Sequence, residues 1–267
     1  MTTAPLEPAA LLAALDALAP LRLAAPWDNV GLLVAGDRLV RRLGLCVDLR
    51  PAVLDAFIAD DVDLVVAYHP PIFAALKRVA GQGTPERTLA RALRAGLSIY
   101  SPHTALDAVP GGMGDWLAAA AGPVTACDPI QPDAADPRAG MGRCARLGAP
   151  APLRELLPRI AGHLGLRHLR VAGDPAAPRS VLWCCPGAGG DLMKGAGAGD
   201  VVLTGELGHH EVLRLTDRGA AVVLTEHSNC ERGFLPRYAD QLRAALPGVE
   251  VQISALDVDP LEVWTAG

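Results

Sequence analysis

The chain has 267 residues, 51% of them hydrophobic, and a formal net charge of −5. That is enough to bury one large core or two ordinary ones, and we read two α/β domains of a soluble globular protein. There is no basic stripe to attract nucleic acid and no block of like charge, and Asp16 and several prolines interrupt the N-terminal Ala/Leu stretch, which argues against a signal peptide or membrane span.

In chain order, Pro8 to Leu18 reads as a helix on the stripe Leu11, Leu12, Leu15 and Leu18, stopped by Pro20. In Pro26 to Val34 the polar pair Asp28-Asn29 lies between Trp27 and an apolar run, the pattern of a turn followed by an edge strand. Leu43 to Leu49 is a short buried strand, Pro51 to Asp60 a helix packing Val53, Leu54, Phe57 and Ile58 inward, and Val62 to His69 the next strand. Helix Glu86 to Ala95 ends at Gly96, a natural stop, before strand Leu97 to Ser101. Strands alternating with helices predict a largely parallel sheet. Pro110 to Trp116 is a tight loop leading into an alanine-rich helix.

Pro123 to Gly142 is rich in Pro, Asp, Ala and Gly without periodicity, which predicts a linker. The expected domains are therefore 1–125 and 143–267, joined by 126–142. In the second, Pro152 to Leu164 is a helix, and His168 to Ala172, Ser180 to Cys185, Asp200 to Thr204 and Ala220 to Thr225 are strands, with helix Glu206 to Arg218 between the last two. Val249 to Val258 adds a strand to one of the two sheets.

Three histidines, His69, His103 and His227, each end an apolar strand, and the carboxyl ends of strands form the usual site rim of parallel α/β sheets. Glu231 follows His227 by one helical turn, so imidazole and carboxylate can face one point. His-x-x-x-Glu alone is a common spacing; its recurrence beside two other strand-tip histidines gives it meaning. His209 and His210 read equally as a solvated first helical turn or as substrate-facing. His163 and His168 lack carboxylates at ligand spacing and read as surface or capping residues. Pro186 to Gly190 lacks both the Gly-x-Gly-x-x-Gly spacing and a Walker lysine, so a tight turn is the better reading than a phosphate cradle. Cys46, Cys127, Cys144 and Cys230 stand singly and Cys184-Cys185 are adjacent, so neither a Cys-x-x-Cys zinc clip nor a disulfide framework is expected, and a reducing cytoplasm fits.

Six segments, Pro26-Trp-Asp-Asn-Val-Gly31, Tyr68-His-Pro-Pro-Ile-Phe73, Ser101-Pro-His-Thr-Ala-Leu-Asp107, Pro110 to Leu117, Thr204-Gly-Glu-Leu-Gly-His-His-Glu211 and Glu226-His-Ser-Asn-Cys-Glu-Arg-Gly-Phe-Leu235, occur in the order seen in one family. Over almost its whole length the chain resembles the Nif-three-like proteins, also called dinuclear metal-centre hexameric proteins or GTP cyclohydrolase I type II homologues. The resemblance implies two interlinked α/β domains, a hexameric ring, and a pair of divalent metals in a cleft where the domains meet. Matched residue by residue, it implies His69, Asp107, His227 and Glu231 as ligands, with Glu231 or Asp107 bridging. Many bacterial members carry His-His-Pro where this chain has Tyr68-His69-Pro70, a form closer to the branch with eukaryotic members; His103 would then be available as a further ligand.

Two imidazoles and two carboxylates without thiolate suit Zn, Mn or Fe(II). So few protein donors cannot fill the shells of two metals, and water or hydroxide would complete them; such a pair can activate that water against a phosphoester or nucleotide-like small molecule. The expected function is a metal-dependent hydrolase, with Glu231 as the catalytic carboxylate and Asn29, Tyr68, Glu206 and His209 on the substrate side. The alternative is a non-catalytic oligomeric scaffold or regulator held together by its metals.

Overall fold

A computed structural model describes residues 8–79 and 83–265. They fall into two compact units, one from the described residues of 8–106 and 235–258, the other from 107–234 and 259–265. Among the described residues no helix is long and apolar enough to cross a membrane.

The first unit begins with α1 (Pro8–Leu18), β1 (Gly31–Val34), β2 (Arg42–Cys46), α2 (Pro51–Ala59), β3 (Leu64–Ala67), α3 (Thr84–Arg94), β4 (Ser98–Ser101) and the start of α4 (His103–Ala108). Every side chain of β3 is buried, as a central strand covered on both faces requires. The strand order is β1-β4-β3-β2, continued by a fifth strand from the C-terminal part of the chain. Strands β4, β3 and β2 run parallel, and β1 pairs antiparallel with β4 at the edge, as the turn-and-edge-strand pattern predicted. Val53, Leu54 and Phe57 of α2 pack with Cys46, Val65, Ala67 and Ile99 into one core. Each large apolar side chain buried there contributes about 1.5–3 kcal/mol. Gly96, at φ +68, ends α3 in the left-handed conformation expected of it.

The second unit holds α5 (Met113–Ala118), β5 (Val124–Pro132), β6 (Gly140–Pro152), α6 (Leu153–Leu164), β7 (Arg170–Ala172), β8 (Pro178–Ala188), β9 (Asp200–Glu206), α7 (His209–Asp217) and β10 (Ala221–Leu224). Its six-stranded sheet runs β5-β6-β8-β9-β10-β7, with a parallel centre of β8, β9 and β10. Leu215 of α7 packs with Val202, Val222 and Leu224 beneath it.

Residues 123–142 are not a linker. They lie in the hairpin of β5 and β6, paired from Val124↔Leu147 to Pro132↔Gly140. Pro129 and Pro132 broke the expected pattern because β5 is an edge strand, the one place in a sheet where proline's missing N–H costs little. Asp133 turns the hairpin by accepting the N–H groups of Ala135 and Asp136 at 3.1 and 3.0 Å. The chain then returns to the first unit through α8 (Leu235–Ala245) and β11 (Glu250–Ile253). The closing strand thus joins the first sheet, parallel to β2, from Glu250↔Arg42 to Ile253↔Leu45.

Candidate metal centre

In the first unit, adjacent parallel strands β2, β3 and β4 release the chain at one edge of the sheet, and Asp48, His69 and His103 lie just past their carboxyl ends. Because β1 runs the other way, Asp28, three residues before its start at Gly31, reaches the same edge. His69 Nδ1 lies 2.9 Å from Asp48 Oδ1, and His103 Nδ1 lies 2.7 Å from Asp28 Oδ1. A carboxylate only accepts, so each Nδ1 carries the proton and each Nε2 is left as the donor nitrogen for a metal. The carboxylates are themselves held. Asp257 accepts the N–H groups of Val47 and Asp48 at 2.5 and 3.2 Å, and Asp28 accepts the N–H of Thr104 at 3.1 Å. Burial alone would raise the Asp28 carboxyl, but hydrogen bonds from His103 and Thr104 outweigh it and hold it below its ordinary value.

Tyr68 is only 2% exposed, with its ring 5.0 Å from that of His69 and 5.4 Å from that of His103. It follows a strand buried on both faces and packs against the two imidazoles. Asn29 is likewise occupied: its Nδ2 donates to the Ile72 carbonyl at 2.5 Å.

In the second unit Glu206 ends β9, and His227 follows the neighbouring parallel strand β10. His227 Nδ1 lies 2.8 Å from Glu206 Oε1. Residues Ser228–Cys230 make one 3-10 turn, which brings the 1% exposed Glu231 back so that its Oε1 is 3.7 Å from His227 Nε2. That separation is too long for a hydrogen bond, yet it suits two donors each about 2.0–2.2 Å from one ion. Gly187, at the end of β8 with φ +60, leaves the space: a β-carbon there would stand 2.9 Å from His227 Nε2 and 3.0 Å from Glu231 Oε1. Imidazole and carboxylate donors, an orienting carboxylate and a cleared approach fit a divalent metal.

Asp107, 7% exposed near the end of α4, belongs to this same neighbourhood. Burial first, and then the Asp107 and Glu231 carboxylates, push the Cys185 and Cys230 thiols up. Both stay protonated. The Cys230 thiol donates to the His227 carbonyl at 3.1 Å and accepts the Gly187 N–H at 3.2 Å, so it fixes the backbone around the imidazole instead of supplying a thiolate. Arg143, fully buried, donates to Asp115, to the carbonyls of Gly140 and Gly142 at 2.7 and 2.9 Å, and to that of Ala108, next to Asp107, at 3.2 Å.

Glu206, expected on the substrate side, is exposed and holds His227 Nδ1. His209 is exposed at the first position of α7, its ring 5.4 Å from that of His210, the solvated-turn alternative. His163 is no surface residue: it is half-buried, with its ring 4.6 Å from that of Trp116. Pro186 to Ala188 continue β8, and the N–H groups of Gly187 and Gly189 are given to Cys230 Sγ and Thr204 Oγ1 at 3.2 and 3.1 Å, so neither is offered to a phosphate. Sequence reasoning passed over Asp48, Arg143 and Asp257. Asp48 had a usable signal, a carboxylate one residue past the apolar run ending at Val47; Asp257 had none, since its partner lies 210 positions away.

A two-unit α/β protein whose parallel strands end in carboxylate-backed histidines is the class that this fold and these residues define. The chain belongs to the Duf34/NIF3 (NGG1p interacting factor 3) family, whose model matches residues 8–260. It is 36% identical to NIF3-like protein 1 of Drosophila melanogaster over 259 residues, covering 95% of this chain and 88% of that protein. It is 35% identical to the NIF3 homolog of Schizosaccharomyces pombe over 256 residues, 90% of this chain and 92% of that one. Its fold is similar to that of a Bacillus cereus protein related to NIF3, at TM-score 0.85 and 16% identity over 98% of this chain and all of that one. Reduced HcgD from Methanocaldococcus jannaschii shares the fold at TM-score 0.77 and 22% identity, over 94% and 98%.

Proposed function

We propose that this chain is a divalent-metal-dependent hydrolase of small phosphoester or nucleotide-like substrates, with His69, His227 and Glu231 as metal ligands. Asp107 is the further carboxylate ligand and His103 the reserve imidazole of a second ion. The observation that carries this reading is that all three strand-tip histidines have Nδ1 within 2.7–2.9 Å of a carboxylate oxygen, the arrangement that fixes an imidazole as a metal ligand. A bound Zn, Mn or Fe(II) would supply Lewis acidity and an activated water. Within the chain, Asp48, Asp28 and Glu206 keep the protons on Nδ1, and Glu231 offers the buried carboxylate that takes or returns a proton beside Nε2 of His227. The test is metal content by mass spectrometry of the metal-loaded protein, followed by a panel of phosphoesters and nucleotides. Absence of any bound divalent ion, or loaded protein that turns over nothing, counts against it.

The second reading, a metal-stabilised homo-oligomer such as a hexameric ring acting as a scaffold, is favoured by the exposed apolar side chains of Leu261, Val263 and Trp264, 67%, 66% and 84% accessible. Light scattering with and without chelator separates the two. A scaffold loses its assembly with its metal, whereas an enzyme keeps its assembly and loses rate.

A further inference from the structure

We infer that Trp27 and Phe73 form a stacking platform for the planar heteroaromatic ring of a small-molecule ligand at the His103 edge of the first unit. These large rings are 64% and 63% exposed, where aromatic side chains ordinarily bury most of their surface. They stand together, with centroids 5.9 Å apart and planes tilted by 53°, and each faces the imidazole of His103, at 6.0 and 6.5 Å.

Their exposure is built in. Trp27 sits at the apex of the turn Ala25 to Asp28, closed by the Asp28 N–H on the Ala25 carbonyl at 2.9 Å. Both ends of that turn are tied to α4: Ala25 donates its N–H to Thr104 Oγ1 at 2.9 Å, and Asp28 holds His103 Nδ1 and the Thr104 N–H. The Asn29 amide then bridges to the carbonyl of Ile72, so the segment carrying Trp27 is joined to the one carrying Phe73 immediately beside both rings. Two loops tied to each other and to a helix hold the backbone that carries both rings, and such preorganisation lowers the entropic cost of capturing a flat partner. The His103 imidazole, whose Nδ1 is held by the buried Asp28, is the polar ring beside the pair, and it suits a planar ring bearing heteroatoms better than an aliphatic chain.

The assignment rests on the metal-centre reading only in making this the substrate side of that centre; ring capture itself is separable from it. The probes are adenosine and guanosine, with ribose 5-phosphate as the ringless control, measured by equilibrium dialysis on the full-length metal-loaded protein. Saturable nucleoside binding is expected, weakened about ten-fold or more by Trp27→Ala or Phe73→Ala and by no more than about two-fold in Trp27→Phe, which keeps a stacking ring. Ribose 5-phosphate should not respond to these variants. Protein stripped of metal by a chelator should bind nucleosides with the same dependence on Trp27 and Phe73, so failure of the metal reading is distinguishable from failure of this one. Nucleosides that do not bind, or that bind Trp27→Ala as well as the parent, overturn the proposal. So does a fall in oligomer mass in Trp27→Ala, which would show that a second copy of the chain covers the platform.

Discussion

Glu206 Oε1 lies 2.8 Å from Nδ1 of His227, an acid at the end of one parallel strand gripping the imidazole just beyond the next. The pair sets both the tautomer and the direction of the ring. Glu206→Gln should therefore weaken divalent-metal affinity about 10- to 100-fold with little change in fold, and Asp48→Asn should do the same through His69. Competition against a chelating indicator reads this directly, and unchanged affinity in both variants would show that these carboxylates do not support a metal.

Gly187→Ala tests the cleared space. The new β-carbon would meet His227 Nε2 and Glu231 Oε1 while forcing a non-glycine residue into φ +60. The conformational part alone costs about 1–2 kcal/mol, visible in urea unfolding. Metal affinity should fall as well, whereas a purely structural glycine would lower stability and leave affinity alone.

Arg143→Ala should destabilise the second unit by about 3–5 kcal/mol, because it abandons several buried carbonyls, at about 1–3 kcal/mol each, and takes the guanidinium from the partly exposed Asp115. Asp257→Ala, which deprives two N–H groups of a charged acceptor, should cost about 1.5–3 kcal/mol in the first. Denaturant titration of each variant against the parent measures both. A smaller loss for Arg143→Ala than for Asp257→Ala would contradict this ordering.

His163 carries a pH signature. Burial beside Trp116 pushes its imidazole below the ordinary 6.5, and a backbone hydrogen bond with Trp116 only partly opposes that. A depressed folded value means that the unfolded chain binds the proton first as pH falls below about 6.5. This contribution to stability is therefore complete above that pH and is lost as acid approaches the folded value. His163→Phe, which keeps a ring against Trp116, should flatten the decline in unfolding free energy between pH 7.5 and pH 5; an identical slope in parent and variant would remove His163 as its source.

Much of this was legible in the sequence. The stripe in α1, the all-apolar run of β3 and the stop at Gly96 are local patterns, and local patterns survive folding unchanged. The strand-tip positions of His69, His103 and His227 followed from the same logic, since apolar runs end where the rim begins. What escaped were relations that no window of sequence contains: an edge strand tolerant of Pro129 and Pro132, a guanidinium at Arg143 satisfied largely by carbonyls, and a carboxylate at Asp257 that supports a turn two hundred residues earlier. The partners of Tyr68 and Glu206 escaped for another reason. Residue type told us that these two residues lie near the chemistry, whereas the direction each side chain faces is decided by neighbours on adjoining strands.

Strand β11, recruited from the far end of the chain to pair with β2, imposes a timetable on synthesis. Residues 107–234 leave the ribosome as one continuous stretch and can collapse at once, but the five-stranded sheet stays open along β2 until residue 253 has emerged. A nascent chain stalled before that point would present the unpaired β2 edge to any passing strand, making the synthesis of residues 235–253 the interval in which this protein most needs a chaperone.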